Sequence, residues 1–133
     1  MARYAIDPPT LLRLVEGHRQ VNTEHQIVAP NSIRTQALEL LLGRVNSGQL
    51  SEASALAMHE RMTELKMRLL GDRVSRRAAW DLASKRGWAT LRDAEYLAVA
   101  LLQADALVTI DRELANKAKG VVPLAAFKHL VAP

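Results

Sequence analysis

Short apolar runs alternate with helix-forming stretches along the whole chain, and this alternation limits the fold more than any other feature. "RYAI", "QIVAP", "KMRLL", "ALVTI" and "GVVPL" read as strands. Between them lie segments whose apolar residues recur at helical spacing. Strands separated by helices run parallel, joined by right-handed crossovers, and the helices cover both faces of the sheet. The expected class is α/β: a three-layer α/β/α fold with a central parallel sheet of four or five strands, in a single domain over 1–133.

Local signals divide the helices. Asp7 ends the first strand just before "PPTLLRLVEGH", where proline suits a first helical turn because it has no amide to satisfy. Asn31 or Ser32 opens "NSIRTQALELLLGRVNSG", whose expected apolar face is Ile33, Ala37, Leu40 and Leu41. Ser51 caps the next helix, with Ala55, Met58, Met62 and Leu65 on one side. Asp72 caps "RVSRRAAWDLASKR", whose expected face is Val74, Ala78 and Leu82 and which Gly87 ends. "LRDAEYLAVALLQAD" and "DRELANKAK" are further helices, and "AAFKHL" is a terminal helical turn.

Composition removes several function classes. With no cysteine, neither disulfides nor thiolate metal sites contribute, so a metal would need oxygen ligands. "MARYAIDPPT" lacks the apolar run of a signal peptide and no stretch is long enough to span a bilayer, so a cytoplasmic location without a membrane partner is expected. A net charge of +4 and a pI near 9.9 hint at an acidic or polyanionic partner. The four histidines, His18, His25, His59 and His129, follow no metal-binding spacing, and there is no GxxxxGK[ST] loop or GxGxxG turn.

In a parallel sheet the carboxyl ends of all strands share one edge, which is where such sheets gather their chemistry. Asp7 and Asp111 both follow strands. Asp93 begins the helix leading into the Asp111 strand, so its start is expected at the same edge. Carboxylates that close repel one another unless a divalent cation or shared protons offset the charge. Oxygen-only ligands favour Mg2+ or Mn2+. The simpler reading of any one of these aspartates is a helix cap. Asp72 and Asp81 read as a cap and a solvated residue, and Glu16, Glu60 and Glu64 as exposed helix charges.

"YAIDPPTLLRLV", "LRDAEYLAVALLQADALVTIDRELA" and the basic helical middle resemble a PIN domain of the VapC toxin type. The resemblance spans nearly the whole chain and is most specific over Asp93–Asp111. It implies a PIN-like α/β/α fold, acidic residues around Mg2+ or Mn2+, RNA cleavage, restraint by a cognate antitoxin protein, and a homodimer. By resemblance, Asp7 matches the first acid, Asp93 the third and Asp111 the fourth. Thr109 matches the hydroxyl residue before the last acid. The second acid falls at Glu39 or, counting from Pro30, at Gln36. Glu39 is taken as the acid because it is the only carboxylate on its helix, with Gln36 as a hydrogen-bonding neighbour. The first motif departs from the family, since Pro8 and Pro9 follow Asp7 and leave Thr10 as the nearest hydroxyl.

On this reading Asp7 and Asp93 are the principal metal ligands, and Asp111 and Glu39 hold a second ion or orient water during phosphodiester hydrolysis. Half of the 18 Lys and Arg residues lie between Arg61 and Arg92, and Arg68, Arg73, Arg76, Arg77 and Arg92 are candidate phosphate contacts. An aspartyl phosphatase would place a second aspartate where Pro9 stands, and a receiver module would need an acidic pair where only Asp7 is present. The remaining alternative is a catalytically weakened PIN-like domain that binds RNA or an antitoxin.

Overall fold

The structure is a computed structural model that describes residues 1–17 and 19–133; His18 lies outside the described residues. Four strands, β1 (Arg3–Ile6), β2 (Gln26–Pro30), β3 (Arg68–Leu70) and β4 (Ala106–Val108), form one sheet in the order β3-β2-β1-β4. Every pairing is parallel. Apart from the first residues of β1 and β2, these two strands and β4 are buried throughout, as expected for a sheet covered on both faces.

The connections explain the layers. From β1 to β2 and on to β3 the chain steps in one direction, through α1 (Pro8–Glu16), then α2 (Ile33–Asn46) and α3 (Glu52–Glu64). From β3 it returns through α4 (Arg73–Arg86) and α5 (Arg92–Gln103) to β4, on the far side of β1. Right-handed crossovers in opposite directions put their helices on opposite faces, so α1–α3 pack together on one face and α5, backed by α4, covers the other. The direction reverses between β1 and β4, and the crevice beyond their carboxyl ends is where ligands bind in open α/β sheets. Asp7 and Asp111 follow those two strands.

Several expectations needed correction. "GVVPL" is not a fifth strand: Leu124 makes one parallel bridge to Leu107, and Pro123 has no amide to extend it. Leu40 is 42% exposed while Ile33, Ala37 and Leu41 are buried. In α4 the buried residues are Ser75, Ala79 and Ala83, whereas Val74 is 59% exposed. The reason is the partner: Ala79 and Ala83 meet Ala94 and Ala98 of α5 in a small-residue seam, so close helix approach, not side-chain bulk, sets which face turns inward. Gly87 takes a left-handed conformation at φ 72°, which reverses the chain so that α5 starts beside the end of α4. Ser51 and Asp72 cap α3 and α4 as expected, each accepting from a serine amide three residues on. A 3-10 turn, α6 (Arg112–Ala118) preceding it, closes the chain at Phe127–Leu130.

Candidate functional site

Asp7 is 2% exposed, and its side chain makes no capping bond to α1. Pro8 and Pro9 open that helix without amides to offer. The carboxylate is instead held by hydroxyls. Thr10, one helical turn on, donates to Oδ1, and Thr109 donates to Oδ2 at 2.8 Å. The second contact follows from sheet register, since Ile6 pairs with Val108 and the next residue on each strand is Asp7 and Thr109. Each hydroxyl also accepts a backbone amide, Thr10 from Ile110 at 3.1 Å and Thr109 from Asp111 at 3.0 Å. The two strand ends are thus tied through the acid. Burial raises the Asp7 pKa above the ordinary carboxylate value, and the two hydroxyls partly offset the shift.

Asp111 and Asp93 are half-buried. Asp111 does act as a cap, its Oδ1 accepting from the Glu113 amide at 2.9 Å, which leaves Oδ2 without a protein donor among the described residues. Asp93 Oδ2 accepts from Lys117 Nζ at 2.8 Å. That hydrogen bond holds the Lys117 pKa above its ordinary value, against a smaller effect of burial.

A pocket of about 150 Å³ brings Asp7, Asp93, Asp111, Gln36, Arg92 and Tyr96 together, with Pro8, Pro9 and Leu40 in its wall. Glu39, the expected second acid, is exposed and is not part of that wall. Helix geometry gives the reason: at 100° per residue, Glu39 points roughly 160° from the centre of the Ile33, Ala37 and Leu41 face, while Leu40 and Gln36 lie off one edge of it, about 60° and about 100° from that centre. Gln36 is fixed there, its Oε1 accepting from the Tyr96 hydroxyl at 2.7 Å and its Nε2 donating to Ser32 Oγ at 3.2 Å. Tyr96 is buried, and burial raises its pKa, so it stays a neutral donor.

The donor set suits a hard divalent cation in kind, being all oxygen. As the side chains stand, however, no three His, Asp or Glu residues form a metal-holding group among the described residues. Asp93 turns to Lys117 and Asp111 to its own helix. Of the five candidate arginines only Arg92 lines the pocket. Arg68 lies at the amino end of β3, beside a larger cavity of about 520 Å³ lined by Val21, His25, Ile27 and Met67. Arg73 and Arg77 share a shallow hollow on α4, where Arg77 pairs with Asp81 at 3.1 Å, and Arg76 donates to the Gly71 carbonyl at 3.1 Å. Among the described residues the wall of the larger cavity carries one carboxylate, Glu64, and so lacks the convergent acids that this chemistry needs. Sequence reasoning missed Tyr96 and Lys117, whose partners lie 60 and 24 residues away and so leave no local signal.

No family model and no curated protein matches the sequence. The chain is similar to the crystal structure of PAE2754 from Pyrobaculum aerophilum, with a TM-score of 0.70 and 25% identity over 95% of this chain and 91% of that one. That likeness supports the α/β/α fold with its all-parallel sheet.

Proposed function

We propose that this chain is a divalent-metal-dependent endoribonuclease of the PIN type, acting as the toxin of a toxin-antitoxin pair. The observation that carries the hydrolase reading is the convergence of Asp7, Asp93 and Asp111 on one pocket at the point where the strand order reverses. Asp7, Asp93 and Asp111 would hold the ion, Mg2+ or Mn2+, with the Gln36 carbonyl as a neutral neighbour. When bound, the ion supplies an activated water and charge stabilisation on the phosphate. The chain's own groups do the rest. Thr10 and Thr109 fix the Asp7 carboxylate so that it needs no reorientation, Tyr96 fixes Gln36, and the exposed Arg92 at the pocket offers a phosphate-binding guanidinium.

Antitoxin restraint and a homodimeric state rest on the sequence resemblance, and a cytoplasmic location rests on the sequence's lack of signal-like and membrane-length apolar runs. No described helix is long and apolar enough to cross a membrane. One observation favours the second reading, a weakened domain that binds RNA or an antitoxin: of the two positions the resemblance offers for the second acid, the pocket is lined by the neutral Gln36 and not by Glu39. The test is cleavage of single-stranded RNA by the purified chain. Turnover in Mg2+ or Mn2+ that stops with chelator and is lost in Asp93→Asn is the expected result. RNA binding without cleavage supports the second reading, and cleavage that persists in chelator overturns the metal mechanism.

A further inference from the structure

We propose that Lys117 is the pocket's own counter-ion: its ammonium competes with the divalent cation for Asp93 and sets the metal concentration at which the pocket fills. The inference rests on reading the pocket as a metal centre and adds a residue that the resemblance does not supply.

Lys117 lies on α6, six residues beyond the Asp111 cap, and reaches back to the start of α5. Its Nζ donates to Asp93 Oδ2 at 2.8 Å and stands 5.1 Å from the centre of the Trp88 ring. Trp88 immediately follows Gly87 in the turn between α4 and α5, so the residues that receive the ammonium flank one short connection. Both side chains of the ion pair are about 30% exposed. A carboxylate on one side and an indole face on the other form a small seat for a monovalent cation, and the two attractions reinforce each other where water is partly excluded.

This seat shares an oxygen donor with the pocket. Asp93 is one of three carboxylates there, and Lys117 satisfies one of its two oxygens. A divalent ion drawn to Asp93 meets a resident positive charge, which it must displace or tolerate at close range. Either way the ammonium weakens its binding. With an amide at Gln36 in place of a further carboxylate, the pocket has little surplus negative charge to overcome this competition.

The chain carries a reporter for this exchange. Its two tryptophans are Trp80, on the exposed face of α4, and Trp88, against the ammonium. In a Trp80→Phe background, Mg2+ is titrated into the protein with Lys117 and into Lys117→Met, followed by calorimetry and by Trp88 emission. Lys117→Met is expected to tighten Mg2+ binding by about tenfold, the scale of a partly exposed ion pair joined to a cation–π contact. Mg2+ should shift Trp88 emission only where Lys117 is present. Lys117→Arg, which keeps the charge and the Asp93 contact, should bind Mg2+ no more tightly than the parent, and it serves if the Met variant does not fold. Equal affinities for Mg2+ in the Lys and Met proteins, or tighter binding in the Arg protein, overturn the counter-ion role while leaving the metal centre standing. Absence of Mg2+ binding in every variant overturns both.

Discussion

Asp7 and Asp93 line the same pocket but are held in different ways. Asp7 is buried, both of its oxygens take hydroxyl donors, and those hydroxyls are themselves anchored by backbone amides. Asp93 is partly exposed, and its structured partner is one long, flexible lysine. The inner half of the site is therefore set by strand register and a helical turn, and the outer half by a side chain that can leave. The difference teaches that the two acids answer to different constraints: the first is part of the fold, whereas the second is held by a partly exposed ion pair that can exchange its partner.

Removing the inner charge should have the largest effect. Asp7→Asn is expected to lower metal-dependent RNA cleavage by about a hundredfold or more, since it keeps the shape and removes the charge. Its effect on stability should depend on pH. Because burial raises the Asp7 pKa, the folded chain holds this proton more tightly than the unfolded chain. That stability is complete below the ordinary value of 3.8 and is lost as pH rises through the raised folded value. The stability of Asp7→Asn relative to the parent should thus increase from acid toward neutral pH, as read by thermal unfolding. A relative stability of Asp7→Asn that falls from acid toward neutral pH would contradict a raised Asp7 pKa.

Next come the hydroxyls. Thr10→Val removes a donor to Asp7 and an acceptor for the Ile110 amide, and Thr109→Val does the same to Asp7 and the Asp111 amide. Each should cost about 1 to 3 kcal/mol in denaturant unfolding, because buried partners are left unsatisfied. Losses below about 0.5 kcal/mol in both variants would mean that the inner half is not rigidly held.

The smallest contrast separates Gln36 from Glu39. Gln36→Glu places a carboxylate in the pocket that can still accept from Tyr96 and, with the Ser32 hydroxyl turned from acceptor to donor, accept from Ser32 as well, and should raise Mg2+ affinity and cleavage by about tenfold. Glu39→Gln, on an exposed position outside the pocket, should leave both unchanged. A loss of cleavage in Glu39→Gln would restore Glu39 to the site.

Much of this arrangement was legible from residue order because its causes are local. The alternation of strands and helices gave the parallel sheet, and Asp7, Thr109 and Asp111 mark the ends of adjacent strands. Thr10 lies one helical turn from Asp7 and needs no tertiary information. The choice between Gln36 and Glu39 was not legible, since it depends on the rotation of α2 against the sheet. That rotation is fixed by Ile33, Ala37 and Leu41 rather than by the larger apolar run that includes Leu40. The same limit misassigned Val74: the alanine seam between α4 and α5 is recognised only when both helices are present. Lys117 meets Asp93 across two helices and β4, a contact made by topology alone.

The central claim, that the acids at the β1 and β4 ends hold a divalent cation, is tested most directly by an anomalous difference map from crystals grown with Mn2+. The expected result is a peak in the pocket at about 2.0 to 2.6 Å from carboxylate oxygens of Asp7 and of Asp93 or Asp111. A pocket without manganese density at saturating Mn2+, or a peak bound only at other residues, would contradict it.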